Sequence, residues 1–508
     1  MPSPFVIDSF EESETVEIVM VSSEAVPFAK TGGLADVCGA LPGRLSAHGH
    51  RCSVFLPAYP RVFHAGVDLK PLEVGFVVHI AGRPVSCRIL KGTMGNGVDY
   101  YFIDQPHYFD RPSLYGDQHG DYRDNCERFC FFSRAVVQAI ESLRIPVDIV
   151  HCHDWQSGLI PAYVKTRADS HAWYQKAGTV FTIHNLAYQG RFWQHDMALT
   201  GLDWRHFNMH ELEFYGDLCL MKSGIVYSDA ITTVSPSYAR EIQTQQHGCG
   251  LESVLQARAN VLTGIVNGVD YAVWDPMRDP FIPQPYSIEN WKSGKGAAKE
   301  ALRNELGLPH VDQPLIGIIG RLADQKGWDL IIPTMRNWIH DQDVQWAILG
   351  SGEARYHDAL SELARQAPHR VAVRLEFSES LSHRIEAASD MFLMPSQYEP
   401  CGLNQLYSLR YGSVPVVHAT GGLIDTVVDT HSGTLENQTA TGFSFYEYSH
   451  HALHQCLSRA CDFYRREPQG WNQIVETGMK QDWSWGESAR RYEAVYHHVL
   501  EDVSRRNG

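Results

Sequence analysis

The sequence predicts an α/β protein made of two doubly wound, Rossmann-like units facing a central cleft. Three observations carry this. Short β-branched runs recur along the chain, separated by helical stretches, and end in polar residues, as parallel strands do when ligands sit at their carboxyl edge. A strand, a glycine pair and an apolar helical pattern follow one another twice, at Lys30-Thr31-Gly32-Gly33-Leu34-Ala35-Asp36-Val37 and at Thr420-Gly421-Gly422-Leu423-Ile424-Asp425. With 508 residues and 44% apolar composition, the chain can bury more than one core, since single cores rarely grow past about 250–300 residues.

Taken in order, residues 1–15 read as an acidic leader, with Asp8, Glu11, Glu12 and Glu14 and little periodicity. The first domain is expected over 16–268. Ile18-Val19-Met20-Val21 reads as a buried strand, and Leu34, Val37, Leu41 and Leu45 fall at helical spacing after the first glycines. Gly32 and Gly33 let a ligand approach the positive end of that helix, where unpaired N–H groups favour an anion, and Lys30 adds a cation beside it. Cys52–Leu56 is a second strand, and Phe76–Ile80 with Tyr100–Ile103 continues the sheet. Cys126–Leu143 is an amphipathic helix. The strand 148–151 runs into His153-Asp154-Trp155, Val180–Ile183 into His184-Asn185, and Ile231–Val234 into Ser235-Pro236.

After Asn267-Gly268-Val269-Asp270, four prolines (Pro276, Pro280, Pro283, Pro285) mark a crossing between domains. The second domain is expected over 269–484, with strands at 315–319, 346–349, 371–375, 391–394 and 414–417. Residues 485–508 form a final helix by the spacing of Trp485, Tyr492, Tyr496 and Leu500; spacing leaves open which half it packs on.

The formal net charge of −16 argues against a nucleic-acid partner and against docking on an anionic membrane. No run of eighteen apolar residues exists and Met1-Pro2-Ser3-Pro4 opens no signal peptide, so a cytoplasmic protein is expected. The 11 cysteines are an odd, scattered set without a CxxC pair, which suits reduced thiols.

Two segments of the second half carry candidate chemistry. Gly320-Arg321-Leu322-Ala323-Asp324-Gln325-Lys326 follows a strand and offers a planar guanidinium and a compact ammonium for phosphate oxygens; alone it reads equally as a solvated basic loop. Pro395-Ser396-Gln397-Tyr398-Glu399-Pro400-Cys401-Gly402-Leu403 sets a carboxylate at another strand end, ahead of a helix over 404–411. Asp341-Gln342-Asp343 has the spacing of a divalent-ion pair but precedes its strand, which puts it at the edge away from ligands. His151-Cys152-His153 alternates across a strand with no further ligands nearby, and reads as packing plus one cleft residue. Neither a metal nor a cofactor is expected.

Lys30–Val37, His184-Asn185-Leu186-Ala187-Tyr188-Gln189-Gly190, Asn267-Gly268-Val269-Asp270 and Glu399-Pro400-Cys401-Gly402-Leu403 together resemble the bacterial glycogen synthases and plant starch synthases, in order, from about Val16 to about Tyr496. The resemblance implies a GT-B glycosyltransferase that moves glucose, with retention, from ADP-glucose to the non-reducing-end 4-hydroxyl of an α-1,4-glucan such as glycogen. It implies that Lys30, Gly32, Gly33 and Asn267 belong to the donor site and that Arg321 and Lys326 stabilise the departing diphosphate. Glu399 and His184 would stand near the transferred sugar, and Cys401, Gly402, Thr420, Gly421 and Gly422 along the sugar and distal phosphate. Asp154 and Trp155 would lie on the acceptor side. Where broader relatives of this fold carry a second glutamate, near the ribose, this chain has Tyr407, so base or ribose contacts by stacking are expected and UDP-glucose stays open as donor. Two other readings stand beside the synthase: a phosphorylase, which needs a lysine-bound pyridoxal phosphate, and a catalytically silent glucan-binding relative.

Overall fold

The computed structural model describes residues 15–117, 120–167 and 172–507. The acidic leader, apart from Thr15, lies outside the described residues. The chain divides into two compact units, Met1–Gly268 with Trp485–Gly508, and Val269–Ser484.

The first unit is built on strands β1 (Glu17–Val21), β2 (Arg51–Pro57), β3 (Phe76–Ile80), β4 (Arg83–Thr93), β5 (Val98–Asp104), β6 (Ile149–His153), β7 (Gly178–Ile183), β8 (Ala230–Thr233) and β9 (Leu262–Gly264). They are ordered β9-β8-β7-β6-β1-β2-β5-β4. Pairing is parallel from β9 to β5 and antiparallel between β5 and β4. The central strands are buried on both faces, which is why they read as unbroken apolar runs: Ile18, Val19, Met20 and Val21 are at most 1% exposed. β3 does not continue the parallel sheet; it pairs antiparallel with β4, an eleven-residue strand whose exposed Arg83, Pro84, Ser86 and Arg88 hid it from an apolar-run reading. Helix α1 (Gly33–Ala47) follows β1 and buries Leu34, Val37, Leu41 and Leu45, the positions expected from the spacing. Helix α2 (Asn125–Leu143) precedes β6 and carries a continuous buried face from Cys126 to Ile140.

The second unit holds β10 (Leu315–Ile319), β11 (Gln345–Leu349), β12 (Val371–Arg374), β13 (Met391–Met394), β14 (Val414–His418) and β15 (Phe443–Phe445), all parallel, ordered β12-β11-β10-β13-β14-β15. Helix α3 (Trp328–Asp341) follows β10, and α4 (Asn404–Tyr411) follows β13. Trp328, Trp338 and Trp346 are the bulkiest fully buried members of its core.

The last helix, α5 (Trp485–Asn507), belongs to the first unit, where it lies against α1 and β7. Its Tyr496 hydroxyl is 2.8 Å from His151 Nδ1, its Glu493 is 2.6 Å from His48 Nδ1, and Ser488 donates to the Val266 carbonyl at 2.7 Å. Among the described residues, no helix is long and apolar enough to cross a membrane.

Candidate active site

In each unit the strand order reverses beside one strand: β1 stands between β2 and β6, and β10 between β11 and β13. At such a switch point the connections leave in opposite directions and open a crevice at the carboxyl ends of the strands. Of the residues singled out in the sequence, Lys30, Gly32 and Gly33 follow β1, Asp154 and Trp155 follow β6, Arg321 and Lys326 follow β10, and Glu399, Cys401 and Gly402 follow β13, beside these two places. His184, by contrast, follows β7, Asn267 follows β9, and Thr420, Gly421 and Gly422 follow β14.

In the second unit, Arg321 and Lys326 follow β10 and Glu399 follows β13. Lys326 Nζ donates to Glu399 Oε2 at 2.6 Å, and Ser396 Oγ donates to the same oxygen at 2.9 Å. Glu399 is only 6% exposed, so its charge sits where these donors count most. Arg321 is exposed, with its guanidinium on Gln325 Oε1 at 3.1 Å. The loop bearing Glu399 is fixed from two sides. His418, at the end of β14, bonds the Ser396 carbonyl through Nδ1 at 2.7 Å, and Gln405, in α4, bonds the carbonyls of Cys401 and Gly402, both at 3.0 Å.

The two glycine pairs are not structural equivalents. Gly421 (φ 48°) and Gly422 press against the backbone of the Glu399 loop: a Cβ would lie 2.0 Å from the Glu399 carbonyl oxygen at Gly421 and 2.1 Å from that of Cys401 at Gly422. The helix after them spans five residues, Gly422–Thr426. Thr420 and Cys401 are both buried. At Gly32, by contrast, a Cβ would meet nothing within 4 Å, and the residue caps the fifteen-residue α1 with no side-chain bond to its free N–H groups. Gly33 is the first residue of that helix, and both glycines are exposed.

Around that loop in the first unit, Lys30 Nζ is 2.6 Å from Asp36, in the first turn of α1. Glu24, 3% exposed at the end of β1, accepts from both the backbone N–H and the hydroxyl of Thr31, the latter at 2.6 Å, and from the Tyr115 hydroxyl at 2.6 Å. Asp154 follows β6 with φ 55°, an uncommon backbone state for a non-glycine residue and frequent where a site dictates the geometry. Its Oδ1 accepts the His184 N–H at 2.7 Å, and burial pushes its carboxyl up to about 7. His184, after β7, is 8% exposed, and burial pushes its imidazole down to about 3. Trp155 is packed against Phe129 and Phe192. Asn267 is 4% exposed, with a buried Oδ1 that no donor among the described residues satisfies.

Two expectations need correction. The Tyr407 ring is not open to a base: the residue is 7% exposed, and one face is stacked on Trp274 at 3.9 Å, itself stacked on His383 at 3.7 Å. Exposed aromatics past the carboxyl ends of that sheet include Phe377, 82% exposed beyond β12, and Tyr446, 77% exposed beyond β15. His151 and His153, for their part, are both fully buried, so neither faces solvent. Among the described residues, no group of three or more His, Cys, Asp or Glu could hold a metal ion.

Residues 17–257 match the starch synthase catalytic domain family, and residues 299–460 the glycosyl transferases group 1 family. The glycogen synthase of Rhodopirellula baltica is 47% identical over 493 residues, covering 95% of this chain and 97% of its own. The chain belongs to the glycogen synthase family. A second glycogen synthase, from Koribacter versatilis, is 44% identical with 95% and 98% coverage. The catalytic domain of starch synthase IV from Arabidopsis thaliana, solved bound to ADP and acarbose, superposes with a TM-score of 0.89 at 34% identity, covering 96% of this chain and all of that one. Sucrose-phosphate synthase from Thermosynechococcus elongatus shares the fold, with a TM-score of 0.60 at 15% identity. This member of the glycogen synthase family is thus a glycosyltransferase of the GT-B fold.

Sequence reading passed over Glu24, Tyr115, Ser396 and Phe377. Glu24 and Tyr115 act through partners 7 to 92 positions away, which no local pattern reveals, and Ser396 acts through Glu399, three positions on in the same loop. Phe377 left one signal: an aromatic beyond a strand end, just before the helix-capping Ser378.

Proposed function

We propose that this glycosyltransferase moves glucose from ADP-glucose, with retention, to the non-reducing-end 4-hydroxyl of an α-1,4-glucan. The observation that carries the reading is the Lys326–Glu399 pair, 2.6 Å apart over the switch point of the second sheet. An ammonium has three donors, so Lys326 can keep Glu399 and still bond a phosphate oxygen. As the C1–O bond lengthens, charge grows on the diphosphate and positive character on the sugar. Lys326 and Arg321 answer the first and the Glu399 carboxylate the second, and such fixed charges act most strongly in the transition state.

The first unit carries candidate groups of its own. Gly32 leaves room for a phosphate at the N-terminus of α1, and Lys30, now on Asp36, is long enough to turn to it. His184 contacts the transferred glucose as a neutral ring, and Asp154 and Trp155 serve the acceptor. Cys401, Gly402, Thr420, Gly421 and Gly422 hold the Glu399 loop in shape. Phe377 offers its open face to the nucleotide base. With Glu399 serving only as an electrostatic partner, the acceptor O4 attacks C1 from the face the diphosphate leaves, C1–O(phosphate) breaks, and the 4-hydroxyl proton passes to the departing ADP oxygen. The complex of the starch synthase IV relative with ADP and acarbose supports a nucleoside-diphosphate donor and a glucan acceptor.

Nucleotide release from ADP-glucose and UDP-glucose, side by side, with and without glycogen and with chelator, tests the reading. Release that needs both ADP-glucose and glycogen and ignores chelator is the expected result. Preference for UDP-glucose overturns the donor, no release from either leaves a silent glucan-binding protein, and a trapped glucosyl-Glu399 adduct overturns the same-face mechanism.

A further inference from the structure

His153 ends β6, and His184 follows the neighbouring parallel strand β7. His153 Nδ1 and His184 Nε2 are 3.0 Å apart. Two imidazole nitrogens at this distance share one proton, one donating and the other accepting. Burial holds both rings below the ordinary histidine range, His184 at about 3, so each carries a single proton. The direction of one bond therefore decides the protonation of the other two nitrogens.

Those two nitrogens stand in different surroundings. His153 Nε2 is buried and has no hydrogen-bond partner among the described residues. The closest ring, that of His151 at 4.1 Å, has nothing to offer it: Nδ1 of His151 is on the Tyr496 hydroxyl at 2.8 Å and Nε2 on Thr182 Oγ1 at 2.6 Å. His184 Nδ1 has no protein partner among the described residues, and His184 keeps 8% of its surface. If His184 were the donor, the single proton of His153 would lie on Nε2, as a buried N–H with no acceptor. If His153 is the donor, only a lone pair is left there. Buried N–H groups without an acceptor are the rarer defect, as the desolvated donor recovers nothing.

We infer that His153 is a positioning residue that holds His184 as the Nδ1–H tautomer, so that His184 meets the sugar as a hydrogen-bond donor and not as a base. This rests on the proposed contact between His184 and the transferred glucose. The arrangement is the familiar logic of a histidine whose second nitrogen is set by its neighbour, here with another neutral histidine in the setting role.

The test is histidine-selective ¹⁵N labelling of the full chain, with the His184 signals identified by their loss in His184→Gln. The expected spectrum shows a protonated His184 Nδ1 and an unprotonated Nε2; the opposite pattern overturns the inference. His153→Leu removes the donor, and His184 should then show mixed tautomers and kcat/KM fall on the order of tenfold, the worth of one such bond. His153→Asn places an amide N–H near the Nδ1 position and should restore both readouts in part. If His153→Leu does not fold, the wild-type spectrum and His153→Asn still decide. An unchanged His184 tautomer in a folded His153→Leu overturns the inference. Full activity of His184→Gln alongside the expected tautomer instead overturns the sugar contact, so the two failures are told apart.

Discussion

Gly422 donates its backbone N–H to the carbonyl of Glu399 at 3.0 Å. Its neighbour Gly421, at φ 48°, brings its own α-carbon so near that carbonyl that no side chain fits. The second glycine pair is therefore a backbone clamp on the acidic residue. Gly421→Ala should cost about 1–3 kcal/mol of stability and most of the activity. Gly32→Ala, with nothing within 4 Å of the added methyl, should leave stability within about 0.5 kcal/mol and raise the donor KM. Denaturant midpoints and donor titrations of the two variants check this, and equal loss of stability in both would refute it.

Removing Lys326 takes away both a partner of Glu399 and a charge for the diphosphate. Lys326→Met should lower kcat by a factor of about 100–1,000, as loss of one preorganised electrostatic group commonly does. Glu399→Gln keeps the Ser396 bond within reach, so it should fold with a near-native melting temperature yet lose activity to a similar extent. Steady-state kinetics with saturating glucan separate these effects.

Asp154 is pushed up to about 7 by burial, against the backbone N–H groups of His184 and Asn185 and with the charge of Glu24 adding to the rise. Its folded value lies above the unfolded one of about 3.9, so the native state binds more protons between about pH 4 and 7. Stability contributed by this group is therefore present below about pH 4 and lost as pH rises through 7. Asp154→Asn should remove this dependence, gaining on the order of 2–3 kcal/mol relative to wild type between pH 5 and pH 8. Urea unfolding of both proteins at the two pH values is the measurement; parallel curves would exclude the effect.

Tyr496 in α5 bonds His151, from 345 positions away. Tyr496→Phe leaves His151 Nδ1 buried without that partner and should cost about 1–3 kcal/mol, with donor and acceptor KM unchanged. Thermal unfolding together with kinetics shows whether the loss is confined to stability.

Phe377 is 82% exposed and contributes nothing to the core. Phe377→Ala should leave stability unaltered and weaken ADP binding by about 1–3 kcal/mol, the usual worth of a base on an aromatic face. Calorimetric titration with ADP reads this directly, and unchanged affinity would place the base elsewhere.

The sequence by itself determined what is local. Apolar runs marked β1, β6, β7, β10 and β13, glycines marked the turns that leave them, and the polar residues just past each strand, Asp154, His184, Arg321, Lys326 and Glu399, were readable because strand, turn and helix each leave a period of a few residues. Four motifs in order sufficed for the family. Only the tertiary structure decided which of these residues meet. Strand order brings Lys326 to Glu399 and His153 to His184, and it depends on hydrogen bonding between edges far apart in the chain, which no local period encodes. The same holds for α5, whose apolar stripe required a partner without naming one, and for Tyr407, which a one-dimensional comparison placed at the ribose and which stacking on Trp274 draws into the protein. Glycine is the clearest case: two near-identical pairs diverge because one faces open space and the other a carbonyl oxygen, a difference set wholly by what folds against them.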